Sequence, residues 1–249
     1  MSNFLPILSD FTTITLQEMD GVKLMSRTDT KFAFKLSKLP ALLSKLLPFY
    51  NILTIDGKVI HQYNSLYFDT NERKFYIAHH NSRVNRNKIR FREYVDSGLT
   101  FLEVKLKNNK GKTIKKRMKV DAISKELSKE QKVYIEKIIG KSVDVTAKQW
   151  INFSRTTFVH KTQKERLTID INLTFENEKE SGDLKDIVIA EVKQERMSRS
   201  SDFIRIAKEM SILPIRLSKY CISTMQLWPS IKQNRFKKKL LFINKLKRA

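Results

Sequence analysis

One cysteine, Cys221, stands alone in 249 residues. A single thiol excludes an internal disulfide and a cysteine-rich zinc site, and it fits a reducing compartment. There are only six glycines and five prolines. No glycine-rich linker, low-complexity tract or internal repeat divides the chain, so residues 1–228 read as one domain and 229–249 as a tail. No run approaches the roughly 20 apolar residues of a membrane span. The opening MSNFLPILSDFTTITL lacks the basic start and long apolar core of a signal peptide. A soluble, cytoplasmic protein is expected, with peripheral contact at the inner face of a membrane left open. Acidic residues are outnumbered, 26 against 49 Lys and Arg, for a formal net charge of +23. That excess implies a polyanionic partner: nucleic acid, polyphosphate or nucleotide, or an acidic membrane surface. With 41% hydrophobic and 30% charged residues, the chain should fold around a real core.

The richest stretch is Arg86 to Lys107, RNKIRFREYVDSGLTFLEVKLK. Two alternating runs flank the turn signal Asp96-Ser97-Gly98. Lys88, Arg90 and Arg92 share one parity against Ile89 and Phe91; Glu103, Lys105 and Lys107 share one against Leu102, Val104 and Leu106. Strand side chains alternate faces, so the hairpin carries a charged face and an apolar one. Two unit charges ~4 Å apart repel by about 1 kcal/mol in water and ~4 kcal/mol at an effective dielectric near 20. Like charges lined up across a strand pair call for a compensating anion. A solvated sheet face is the bland alternative.

Similar alternation recurs along the chain. Residues 1–22 hold a short opening helix, and LMSRTDTKFAFK reads as a first strand with Arg27, Asp29 and Lys31 on one side. Ser37 to Tyr50 reads as a helix after a Ser cap. Tyr63 to Phe68 is a strand ended by the turn or cap Asp69-Thr70-Asn71, and Glu72 to His80 a short helix or loop. Thr113 to Val120 sets Lys115, Arg117 and Lys119 on one parity. Residues 121–149 read as small helices, one capped by Ser128. Strands follow at Trp150–His160, Arg166–Phe175 and Ile187–Glu195, the second with Arg166, Thr168 and Asp170 on one face, the third with Glu191, Lys193 and Glu195. Helices follow at Ser200–Met210 and Ser218–Leu227. Many charged strand faces coexist if they converge on water and a ligand. The expected architecture is therefore α+β, an eight-stranded antiparallel β-barrel tunnel with flanking helices.

Eight pieces in order carry a family resemblance: RTDTKF (27–32), YNSLYFDT (63–70), HHNSRVNRNKIRFREY (79–94), FLEVKLK (101–107), SRTTF (154–158), RLTIDIN (166–172), IAEVKQE (189–195) and PIRLSKYC (214–221). The chain resembles the VTC (vacuolar transporter chaperone) polyphosphate polymerase domain of the triphosphate tunnel metalloenzyme superfamily. The HHNSR piece is similar to the bacterial stand-alone type. The resemblance implies a tunnel that binds ATP and inorganic polyphosphate with a divalent ion, Mn or Mg, and moves the γ-phosphate of ATP onto a growing chain. By motif position it implies phosphate-binding and catalytic roles for Lys31, Arg90, Arg92, Lys105 and Lys219. It places Arg155 and Arg216 beside them as phosphate ligands, and Glu191 as the metal carboxylate. Lys107 and Lys193, of matching parity, extend the phosphate-binding set. His79 and His80 stand near a further basic phosphate ligand of the eukaryotic members.

Phosphoryl transfer is mainly positioning and charge neutralisation. Guanidinium forks at Arg90, Arg92 and Arg155 can each grip two phosphate oxygens, and lysines supply point charges. Glu191 can hold a hard cation through oxygen. Glu103, the candidate second metal ligand, and Asp170 fit equally well as partners holding the cations in register. Asp29 reads as an orienting partner of Arg27. Each candidate also has an ordinary reading: a solvated cation, a Glu191 salt bridge, an exposed His pair, a buried hydrophobic Cys221. The basic, amphipathic tail can lie on anionic lipid, bind polyphosphate, or pack as a solvated helix. A tripolyphosphatase or nucleoside triphosphatase and a noncatalytic polyphosphate-binding module are the competing functions. Nucleic acid is disfavoured, since helix-turn-helix and zinc-finger spacings are absent.

Overall fold

Alternation becomes sheet over most of the chain. The computed structural model describes residues 4–19, 28–109, 113–195 and 200–248. Strands β1 (Thr13–Ile14), β2 (Thr28–Lys35), β3 (Tyr50–Leu53), β4 (His61–Asp69), β5 (Arg86–Tyr94), β6 (Leu99–Lys107), β7 (Thr113–Val120), β8 (Thr146–His160), β9 (Glu165–Glu176), β10 (Ser181–Leu184) and β11 (Ile187–Gln194) form one sheet. Its main path runs β2-β11-β9-β8-β4-β5-β6-β7 and is antiparallel throughout. β10 extends β9 antiparallel, while β3 pairs β8 and carries β1 in parallel.

This corrects the expected closed barrel. Among the described residues no ladder joins β2 to β7, so the eight-strand path has two edges. The physical reason lies in β7, whose exposed side chains include Lys115, Lys116, Arg117 and Lys119. A lysine-rich edge strand resists further pairing. The sheet nevertheless curls. β2 and β5 lie five strand steps apart, roughly 24 Å on a flat sheet, yet Lys31 of β2 is close enough to help depress the ammonium of Lys88 on β5.

Helices α1 (Leu5–Ser9), α2 (Leu16–Met19), α3 (Leu39–Leu46), α4 (Lys74–His80), α5 (Lys129–Ile139), α6 (Asp202–Glu209), α7 (Lys219–Leu227) and α8 (Lys237–Arg248) surround the sheet. α3 is shorter than the expected Ser37–Tyr50 helix, and no side chain caps it; a proline in its first turn fixes the start instead. Its Leu39, Leu42, Leu43 and Leu46 are buried at helical spacing. α5 begins with a reciprocal capping box between Ser128 and Gln131 and ends at Gly140, φ +80°. β8 begins at Thr146, inside the stretch expected to be helical. The Asp69 carboxylate takes hydrogen bonds from the N–H groups of Thr70, Phe75 and Tyr76 at 2.8–2.9 Å and from the Tyr220 hydroxyl. It thereby ties the end of β4 to α4 and α7.

Three apolar clusters follow from strand parity. On the outer face Phe32, Val188, Ile169 and Phe158 pack under α1, α3 and α6. Leu66, Ile89, Phe91 and Val104 pack under α5. The third cluster is on the inner face: Ile151, Phe153, Leu173, Phe175 and Ile189, covered by Tyr220 and Met225 of α7 and by Phe236 and Ile243 of the tail. The interior is thus part oily and part charged, not polar throughout. β9 switches between the two at Asn172, φ +53°, beside a bulge against β8.

Candidate functional site

Register places the charges in rows on the concave face. Directly opposed residues of an antiparallel pair point the same way. Lys88 faces Lys105, which faces Lys115; Arg90 faces Glu103, which faces Arg117; Arg86 faces Lys107. Across the curl, Arg155 faces Asp170, and Thr168 faces Glu191, which faces Lys31. Lys193 stands between Arg166 and Asp29. α7 starts over this surface: Ser218 Oγ accepts from Lys88 Nζ at 3.0 Å, and Lys219 pairs with Asp170.

Three carboxylates organise the cations. Glu103, fully buried, takes Arg90 Nε and Nη2 on Oε2 at 2.9 and 2.6 Å and Lys115 on Oε1. Asp170 takes Arg155 Nε at 2.6 Å and Nη2 at 2.8 Å, plus Lys219. Glu191 lies 3.3 Å from Lys31 Nζ and 3.6 Å from Lys193 Nζ. Burial alone would raise all three carboxyls. The surrounding cations outweigh it and hold each well below the usual carboxylate range.

Cations still outnumber these acids. Arg92 donates Nε to Ser65 Oγ at 3.2 Å, and its guanidinium lies 5.3 and 5.5 Å from the Tyr63 and Phe153 ring centroids. Burial and then Arg90 lower its pKa. Arg90 first, then burial, pulls the Lys105 ammonium well below its ordinary range, and Arg92 and Lys115 add to this. Burial, partly offset by Glu191, pushes Lys193 down to about 8. Burial also lowers Lys88, Lys115 and Lys219. Among the described residues no carboxylate lies in ion-pair contact with Arg92, Lys105 or Lys88. A protein surface built this way can stabilise a dense anion, because each added negative charge relieves several repulsions together.

The structure therefore gathers Lys31, Arg90, Arg92, Lys105, Arg155, Lys193 and Lys219 with Glu103 and Glu191. Lys107 is exposed at the end of the hairpin row, and Arg216 is exposed before α7. His79 is set beside Lys88 and Arg86; burial and these charges push its imidazole down to about 2, so it is neutral. His80 belongs to packing. Its Nδ1 meets Asn81, its Nε2 accepts from the Arg235 N–H at 3.2 Å, and its ring lies edge-on to Phe236. Arg27, the expected partner of Asp29, lies outside the described residues. Lys88 and Lys115 share the alternation signal yet fall outside the candidate set; register brings them to Lys105. Tyr67 had no such signal. It accepts from Arg90 Nη1 at 2.6 Å, and although burial would raise its phenol, Arg90, Arg92 and Lys88 hold it low.

For a divalent ion the donor chemistry is selective. Among the described residues no three His, Cys, Asp or Glu side chains gather into a metal cage. Glu103 and Asp170 are each engaged by a guanidinium and an ammonium. Glu191 makes longer contacts and keeps 17% of its side chain exposed. One such carboxylate fits a hard cation that arrives with phosphate oxygens and water, and does not fit a resident all-protein site.

A family profile described as the VTC domain matches residues 26–228. No curated protein matches the chain. Among solved structures, HpAC1 from Hippeastrum is described as an adenylyl cyclase candidate with a dominant triphosphatase activity. It aligns over 82% of this chain and 97% of its own at 17% identity, TM-score 0.51. A conserved hypothetical protein from Pyrococcus furiosus aligns over 78% of this chain and 99% of its own at 18% identity, TM-score 0.39. The Hippeastrum protein shows a shared fold. Among the described residues no helix is long and apolar enough to cross a membrane.

Proposed function

The chain belongs to the VTC domain family, and from that premise we propose that it is a metal-dependent polyphosphate polymerase, moving the γ-phosphate of ATP onto a growing inorganic polyphosphate chain. The observation that carries this reading is Lys105, held between Lys88 and Lys115 with its ammonium depressed chiefly by Arg90. Such crowding is costly unless a multiply charged ligand threads the row.

In this reading Arg90, Arg92 and Arg155 grip nonbridging oxygens, and their carboxylate, tyrosine and aromatic neighbours fix the forks before substrate arrives. Lys31, Lys88, Lys105 and Lys219 neutralise charge along the chain and align donor and acceptor phosphates. Glu103 and Asp170 hold cations in place, and Glu191 is the carboxylate available to Mn or Mg. An ion held there would supply neutralisation of phosphate charge. An ionised acceptor phosphate is already a nucleophile, so alignment is the main task of these side chains.

Water in place of the acceptor phosphate would give a tripolyphosphatase, a second reading favoured by the activity described for the Hippeastrum neighbour. Incubation of the protein with ATP and Mn or Mg, followed by sizing of the products, tests both. Long chains support the polymerase, and orthophosphate alone supports the phosphatase. Tripolyphosphate binding without any turnover would leave a binding module.

A further inference from the structure

The tail contains no acidic residue between 229 and 249, and its placement gives that charge a direction. Tyr76 Oη donates to the Lys232 carbonyl at 2.8 Å, Arg235 Nη1 donates to the Asn81 carbonyl at 3.1 Å, and Phe236 packs on His80. These contacts pin the segment before α8 to the end of α4, next to where β5 begins. There Arg86 and Lys107 end the concave row that starts at Arg92. Lys239 of α8, half-buried with its ammonium 4.6 Å from the Phe236 ring centroid, lies near that end. After burial, Arg216 and Arg86 are the cations that lower its ammonium. α8 then passes beside β2.

The orientation of α8 decides between its candidate ligands. Ile243 is buried, and Leu240, Phe242 and Leu246 are partly buried against the inner apolar cluster. The helix therefore turns its oily side into the protein. Its solvent side carries Lys237, Lys238, Lys245 and Arg248 with one exposed apolar residue, Leu241. A helix that lies on a bilayer keeps its apolar face for lipid. This one has spent that face on the fold and presents a stripe of exposed cations to solvent.

We propose that the solvent face of α8, a helix anchored at its start beside the end of the concave row, is an external track for a linear polyphosphate chain longer than the cradle itself. The proposal rests on the reading of the cradle as a phosphate-chain site and assigns the part of the chain that lies outside it. Charge complementarity to a regular polyanion, the anchoring of α8 beside the row's end and exposure of the cations carry it.

The test compares the full-length protein with a variant carrying Lys237→Gln, Lys238→Gln, Lys245→Gln and Arg248→Gln. Long-chain polyphosphate, tripolyphosphate and phosphatidylglycerol vesicles serve as the three probes. These side chains are exposed, so folding should survive, as a melting curve will confirm. Binding of the long chain should weaken by about tenfold or more, with a salt slope shallower by roughly 0.7 for each cation lost. Tripolyphosphate binding should stay unchanged, and Lys237→Arg, Lys238→Arg, Lys245→Arg should keep the long-chain affinity. Unchanged long-chain binding, or equal loss for both phosphates, would overturn the track. So would loss of vesicle binding alone, which would make α8 a lipid-facing element. Failure of the parent protein to bind tripolyphosphate would instead defeat the reading of the cradle.

Discussion

Lys88 and Lys105 face each other directly across the β5–β6 ladder, both on the concave side. Glu103 offsets Lys105 only in part, since Arg90 and Lys115 already occupy its two oxygens. Cation repulsion built into a sheet stores free energy that an anionic ligand would release. The outcomes expected at Lys193, Arg90, Arg92, Asp170 and Glu191 depend on that store or on the carboxylates that limit it.

Lys193 should make ligand binding consume protons. Its folded pKa is about 8, against about 10.4 in an unfolded chain. The penalty is full below about 8 and lifts as pH rises toward the unfolded value, where the unfolded chain binds more protons. Ligand-free thermal stability should therefore rise across that window, less steeply in Lys193→Met. Calorimetry of tripolyphosphate binding in alkaline buffers of differing ionisation enthalpy should show net proton uptake. Proton release would contradict the assignment.

Arg90 and Arg92 should separate stability from binding. Arg90→Ala leaves Glu103 buried with one fewer cation and should cost about 3–5 kcal/mol in urea unfolding. Arg92→Ala removes a guanidinium without a carboxylate partner, so its cost should stay near 1–2 kcal/mol, mostly lost packing. Both should weaken tripolyphosphate binding by about tenfold or more. Equal destabilisation would refute the distinction.

Asp170→Asn should uncover ligand rescue. It leaves Arg155 and Lys219 uncompensated and should lower stability by about 3 kcal/mol or more. Saturating tripolyphosphate should raise the melting temperature of this variant more than that of the parent. An equal increment in both would show that the two cations do not reach the ligand.

Glu191→Gln tests the metal role directly. Turnover with Mn or Mg should fall by about a hundredfold or more, while tripolyphosphate binding without metal is retained or strengthened. Activity near the parent level would remove Glu191 from the metal site.

Gly182→Ala examines the inner apolar packing. A Cβ there would meet the Phe175 ring at 2.6 Å, and Phe175 is locked in the cluster. Overpacking should cost about 1–3 kcal/mol, read as a lower denaturant midpoint, with phosphate binding intact.

Much of this molecule was legible before folding was considered. Period-two alternation marked β5, β6 and β7 and gave each a charged face, with Lys88, Arg90 and Arg92 on the first, Lys105 on the second and Lys115 on the third, because parity is a local property of extended chain. The Ser128 cap was legible for the same reason: its partner is three residues away. β1, β3 and β10 were not. They are short, and each exists only because a distant strand offers it hydrogen bonds. His79 and His80 looked alike as a pair, yet one lies beside Lys88 and the other holds the tail.

The sequence by itself determined the sign and periodicity of the charge, and with them that the cations stand on strands. Tertiary structure decided which acid neutralises which cation, and which cations are left over. It also decided that the sheet curls without closing and that the oily face of the tail turns inward. Those outcomes depend on register across strands far apart in the chain. Electrostatic energy depends on distance in space, which local pattern does not specify.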